Sequence, residues 1–134
     1  MNPTAMLDTN IVSELMRQGP GRLWQRAERY GIANLCMSII SAAELRYGAE
    51  LKASKRLHDE ITDILTVIHS MPFTEPAGEH YGEIRALLTR SGTPIGSNDL
   101  LIAAHALALD LTLISDNVRE FARIPGLRVE NWLD

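Results

Sequence analysis

The chain has 134 residues, a formal net charge of −4 and one cysteine, Cys36. That single cysteine excludes an intrachain disulfide and a thiolate metal cage, while 46% hydrophobic residues suffice for one core without such staples. No apolar run is long enough to span a bilayer and the opening residues lack the pattern of a secretory leader, so residues 1–134 are expected to form a single cytoplasmic domain.

Residues 4–8 read as a short apolar strand that stops in a carboxylate, Asp8. Thr9-Asn10 is expected to cap a helix over residues 11–17, which Gly19-Pro20-Gly21 breaks. A second helix spans residues 22–30 and ends at Gly31. Residues 35–39 form a second buried strand that contains Cys36, a packing residue rather than a nucleophile. Ser41 reads as the N-cap of the next helix, with Glu44 closing a capping box. Residues 54–69 are amphipathic: Leu57, Ile61, Ile64, Leu65 and Ile68 recur at helical spacing. Residues 71–73 form a weak third strand, and a helix over residues 76–90 is expected to bury Tyr81, Ile84, Leu87 and Leu88. Ser97-Asn98-Asp99 caps a helix that is apolar on all sides. A strand over residues 111–115, a short helix over 116–122 and an edge strand over 127–129 complete the chain. This alternation predicts a mainly parallel sheet of four to five strands, sandwiched between helices in an α/β/α arrangement.

Four acidic residues stand where packing does not ask for them. Asp8 ends the first strand, Asp99 opens the most hydrophobic helix, Asp116 follows a strand, and Glu44 has apolar neighbours. Each has a plain structural use as well: Asp8 as a helix cap, Asp99 on a helix dipole, Glu44 in a capping box, Asp116 in a turn. One sheet edge, however, explains all four, because parallel strands end where the following helices begin. Carboxylates gathered there repel one another, and a divalent cation relieves that conflict. All-oxygen donors select a hard ion such as Mg²⁺, which needs only one or two direct carboxylates. An ion so held can activate water against a phosphodiester. His58, His69, His80 and His105 have no zinc-binding spacing and read as surface or core-edge residues.

The ordered set Met6-Leu7-Asp8-Thr9-Asn10, Ser41-Ala42-Ala43-Glu44-Leu45-Arg46-Tyr47-Gly48, Pro94-Ile95-Gly96-Ser97-Asn98-Asp99, Leu113-Ile114-Ser115-Asp116-Asn117 with Arg119-Glu120-Phe121, and Pro125-Gly126-Leu127-Arg128-Val129-Glu130-Asn131-Trp132 covers the whole chain. It resembles the PIN-domain ribonucleases, and within them the VapC toxins of toxin–antitoxin pairs. The resemblance implies a homodimeric, Mg²⁺- or Mn²⁺-dependent endoribonuclease that cuts structured RNA, with initiator tRNA the best-known target. It also implies a VapB-type antitoxin that silences the enzyme in a hetero-oligomer. By position, Asp8 and Asp99 match the family's principal metal ligands and Glu44 its acidic residue after the second strand. The fourth family position falls on Asp116 or Asn117.

The resulting expectation is hydrolysis in which Asp8 and Asp99 hold Mg²⁺, while Glu44 and Asp116 orient or deprotonate water. Asn10 and Ser115 are expected to donate hydrogen bonds to a water or phosphate oxygen, with Asn117 also at the substrate. Two rivals are a haloacid-dehalogenase-like phosphotransferase with Asp8 as nucleophile, and a non-enzymatic binding module with an acidic pocket. The first usually has a second Asp where this chain has Asn10, and a strand-end Lys where it has none.

Overall fold

The computed structural model describes residues 2–133. Five strands form one sheet: β1 (Ala5–Leu7), β2 (Leu35–Ser38), β3 (His69–Met71), β4 (Thr112–Ile114) and β5 (Val129–Glu130). Their order is β3-β2-β1-β4-β5 and every pairing is parallel. The helices are α1 (Thr9–Gln18), α2 (Arg22–Tyr30), α3 (Ile39–Leu51), α4 (Lys55–Val67), α5 (Glu75–Arg90), α6 (Ser97–Ala108) and α7 (Val118–Phe121). From β1 the chain builds outward through β2 and β3, then returns to β1's other side for β4 and β5. The strand order therefore reverses between β1 and β4, and a crevice opens beyond the strand ends at such a switch point.

Strand side chains alternate faces, so adjacent residues enter different cores. Ala5, Leu7, Leu35, Met37 and Ile114 pack under α1, α2, α3 and α4. Met6, Cys36 and Leu113 pack under α5 and α6, with Phe121 of α7. This is the expected three-layer sandwich with five strands. No helix among the described residues is long and apolar enough to cross a membrane. Burial pushes the Cys36 thiol up to about 12, which suits a packing residue.

Several boundaries move, for local reasons. Asp8, not Thr9-Asn10, caps α1: its Oδ1 accepts from the Ile11 N–H at 2.9 Å. Ser38, not Ser41, caps α3, accepting from the Ile40 N–H at 3.0 Å, so β2 runs into α3 without a loop. Gly96 precedes α6, which begins at Ser97. The third strand lies at His69–Met71, where its backbone pairs with β2, ahead of the expected 71–73. The last strand is Val129–Glu130, set by pairing with β4, and α7 is shorter than 116–122 because Ser115 and Asn117 form a turn. Leu87 is 41% exposed rather than buried, on the outer side of α5.

His105 is a core residue, not a core-edge one: it is 1% exposed and its Nδ1 lies 2.8 Å from Ser38 Oγ. The Ser38 hydroxyl accepts from the Ile40 N–H and keeps both a proton and a second lone pair for His105, so it pairs with either neutral tautomer. Burial holds His105 below its ordinary pKa.

Candidate active site

Asp8, Glu44, Asp99 and Asp116 come from four separate elements and meet electrostatically at the C-terminal edge of the sheet. Asp8 leaves the end of β1 and is only 5% exposed. Burial pushes its carboxyl above the ordinary range, and the charges of Asp116 and Glu44 push the same way. Hydrogen bonds from the Ser115 hydroxyl and the Ile11 N–H oppose that rise. Asp99 sits in the first turn of α6. Burial, the facing Glu120, and the charges of Asp8 and Glu44 push its carboxyl up to about 7. Both aspartates stand at helix N-termini, whose dipoles favour their charged forms and offset part of the repulsion.

Glu44 lies one turn deeper in α3 than a helix starting at Ser41 would place it. Its Oε1 accepts from Thr9 Oγ1 at 2.5 Å and its Oε2 from Asn98 Nδ2 at 3.1 Å. No capping box is formed. Both oxygens are held by neighbours of the two aspartates, one from α1 and one from α6, which fixes the plane of the carboxylate. Thr9 Oγ1 also lies 3.1 Å from the buried Ser41 hydroxyl.

Asp116 is exposed at the lip, in the bend after β4. Ser115 is fully buried, and its Oγ accepts from the Asn117 N–H at 2.9 Å while its hydroxyl bonds Asp8. Ser115 thus braces Asp8 from within the fold. Asn117 precedes α7 without a side-chain cap bond. Asn10 is exposed on α1, and no side-chain hydrogen bond joins it to the carboxylates among the described residues.

A fifth carboxylate belongs to the group. Glu120, on α7, confronts Asp99 and raises its pKa. Glu120 Oε1 is buried without a well-formed hydrogen bond. Its four-residue spacing from Asp116 was the available signal in the sequence, but an acidic residue on a short amphipathic helix ordinarily faces water.

These residues suit a hard divalent ion. The donors are all carboxylate oxygens, two with raised pKa values and one with an orphaned oxygen, so bringing positive charge to the site removes an existing strain. Among the described residues no three such side chains close into a cage around an ion. An ion that keeps several waters needs only one or two direct carboxylates, which this open arrangement supplies. Beside the crevice, a cavity of about 540 Å³ runs between α1, α3 and α4, with Thr9 and Glu44 in its lining.

Fold and edge together define an α/β/α domain with a carboxylate crevice at the β1–β4 switch point. The PIN domain family matches residues 5–127. The chain belongs to this PIN-domain family, among its VapC ribonucleases. It is 40% identical over 129 residues to Ribonuclease VapC2 of Haemophilus influenzae, covering 96% of this chain and 97% of that one. To the tRNA(fMet)-specific endonuclease VapC of Salmonella typhimurium it is 37% identical over 128 residues, covering 95% and 96%. Among solved structures it is similar to VapBC2 from Rickettsia felis bound to a DNA fragment from their promoter, with TM-score 0.89, 36% identity, and 96% and 98% of the two chains covered. VapBC-1 from nontypeable Haemophilus influenzae gives TM-score 0.86 at 36% identity, covering 98% and 99%.

Proposed function

We propose that the chain is a Mg²⁺- or Mn²⁺-dependent endoribonuclease, the toxin of a toxin–antitoxin pair, that hydrolyses a structured RNA of the tRNA class. The observation that carries this reading is the meeting of Asp8, Glu44, Asp99 and Glu120 at one strand-end edge. Names of relatives support the substrate class, one being a tRNA(fMet)-specific endonuclease. Asp8 and Asp99 would hold the ion, with Glu120 behind Asp99. When bound, the ion supplies charge neutralisation at the phosphate and a more acidic water.

The chain's own residues do the rest. Ser115 and the α1 N-terminus fix Asp8. Thr9 and Asn98 aim Glu44, so it orients the attacking water and accepts a proton from it. Asp116, at the exposed lip, takes part in the same proton transfer. In-line attack by water on phosphorus breaks the P–O3′ bond, leaving a 5′-phosphate and a 3′-hydroxyl.

The silencing partner is a VapB-type antitoxin, as in the solved VapBC complexes of relatives. The cavity beside the crevice suits a peptide. Met16, Leu45, Leu57 and Ile61 supply apolar wall, Arg17, Lys52 and Arg56 a basic rim, and Glu44 closes one end. A homodimer would cover Tyr47 and Leu51, one turn apart on α3 and 68% and 70% exposed.

The test uses antitoxin-free protein, total RNA and Mg²⁺. Asp8→Asn and Asp99→Asn are each expected to lower cleavage by about 100-fold or more. Undiminished cleavage by both variants, or cleavage unaffected by EDTA, overturns the reading.

A further inference from the structure

The crevice gathers five carboxylates, so it repels the polyanion it would have to bind. RNA must gain its affinity from cations elsewhere, because phosphate contacts dominate nucleic-acid binding. The basic residues are few, and three of them share one face of α2. Arg22, Arg26 and Arg29 stand at i, i+4 and i+7, while the acidic Glu28 lies about 100° around the helix from Arg29. With Gln25 and Trp132 the three arginines line a cavity of about 270 Å³.

The middle arginine is built in. Arg26 stacks over the Trp132 ring, 5.5 Å from its centroid, and its Nη2 lies 3.6 Å from Glu130 Oε1. Trp132 is buried, packs on Tyr30 and donates to the same Glu130 oxygen at 3.0 Å. Arg22 and Arg29 flank this anchor. Both are exposed, and neither has a carboxylate within 4.0 Å among the described residues. The anchor also ties the patch to the catalytic edge. The Glu130 carbonyl accepts from the Ser115 N–H at 3.0 Å, and the Ser115 hydroxyl holds Asp8. Two strand spacings separate β5 from β1, roughly 10 Å. At its C-terminal end α2 reaches the start of β1, where the Tyr30 and Thr4 hydroxyls lie 2.8 Å apart, at the end of that strand opposite Asp8.

We propose that the α2 arginine face is a phosphate-binding subsite, in which Arg22 and Arg29 hold backbone phosphates of the bound RNA away from the crevice. The subsite rests on the ribonuclease reading above. Arginine suits the task, since its planar fork pairs with two phosphate oxygens at once. Arg26, neutralised by Glu130, fixes the face rather than supplying free charge.

The test places Arg22→Gln and Arg29→Gln together, in the parent for cleavage and in an Asp8→Asn background for binding, with a tRNA-sized structured RNA as probe. RNA affinity is expected to fall about 10-fold, and the slope of log K against log[salt] to shrink by about 2. KM should rise with kcat unchanged at saturating RNA. An unchanged Kd and salt slope, in a folded variant whose parent cleaves RNA, overturns the subsite alone. A variant that keeps its RNA affinity but loses affinity for an acidic antitoxin assigns the face to protein and also overturns it. A parent that neither binds nor cleaves RNA overturns both readings.

Discussion

Asp8 is asked to do two things at once. It satisfies the open Ile11 N–H at the start of α1, and it presents its carboxyl to three other acids, Glu44, Asp99 and Asp116. A sequence reading treats cap and ligand as competing roles, whereas the β1–α1 junction makes them one, because a cap residue here lies on the strand-end edge. Glu120 shows the opposite situation. Its spacing from Asp116 marks it only weakly, since only tertiary packing brings α7 against the start of α6. Its confrontation with Asp99 is directly testable. Glu120→Gln removes a negative charge and offers Asp99 a donor, so in metal-free protein the Asp99 carboxyl should titrate at clearly lower pH than about 7. Carboxyl chemical shifts followed by NMR read this out. An Asp99 titration left in place would remove Glu120 from its causes and leave burial with the charges of Asp8 and Glu44.

At the scale of elements, existence was easy to read and edges were not. Hydrophobic periodicity marks α4 and α6 plainly, and the strands stand out as apolar runs of the right length. The start of α3 lies three residues earlier than the Ser41 cap implies, because Ser38 and Ser41 are equally good caps by type. Only the partner of Ser38, the buried His105 on α6, separates them. That shift turns Glu44 from a local capping residue into one held by α1 and α6. The groove between α1, α3 and α4 likewise emerges only when the helices are packed. Met16 lines this groove and also the adjoining cavity with Trp24 and Ile64. Met16→Glu puts a charge on apolar wall, so antitoxin affinity should drop by about 10-fold or more, while cleavage without antitoxin is kept. Titration of the purified pair by calorimetry, beside an RNA cleavage assay, checks both halves. Equal affinity for variant and parent would move the contact elsewhere.

Across the whole molecule, a site of crowded carboxylates costs stability, and pH shows how much. Both carboxyls are raised, Asp99 to about 7, so above about pH 4, and for Asp99 up to about pH 7, the native protein holds protons that the unfolded chain has released. Their contribution therefore falls as pH rises through that window. His105 acts in the other direction. Its pKa is lowered, so the unfolded chain takes up a proton below the ordinary histidine range and stability grows as pH rises toward that range. The parent's own pH profile mixes these effects, whereas a comparison with Asp99→Asn isolates the carboxylate. In EDTA the variant should be the more stable protein at about pH 8, by about 1 kcal/mol or ~4 °C in Tm, and the gap should close near pH 5, where Asp99 is protonated anyway. Millimolar Mg²⁺ at pH 8 should raise the parent's Tm and leave the variant's nearly fixed, because an ion that binds only the folded crevice stabilises by mass action. A gap of equal size at both pH values would mean that Asp99 carries no repulsion in the fold. Equal Mg²⁺ shifts for the two proteins would remove it from the ion's ligands.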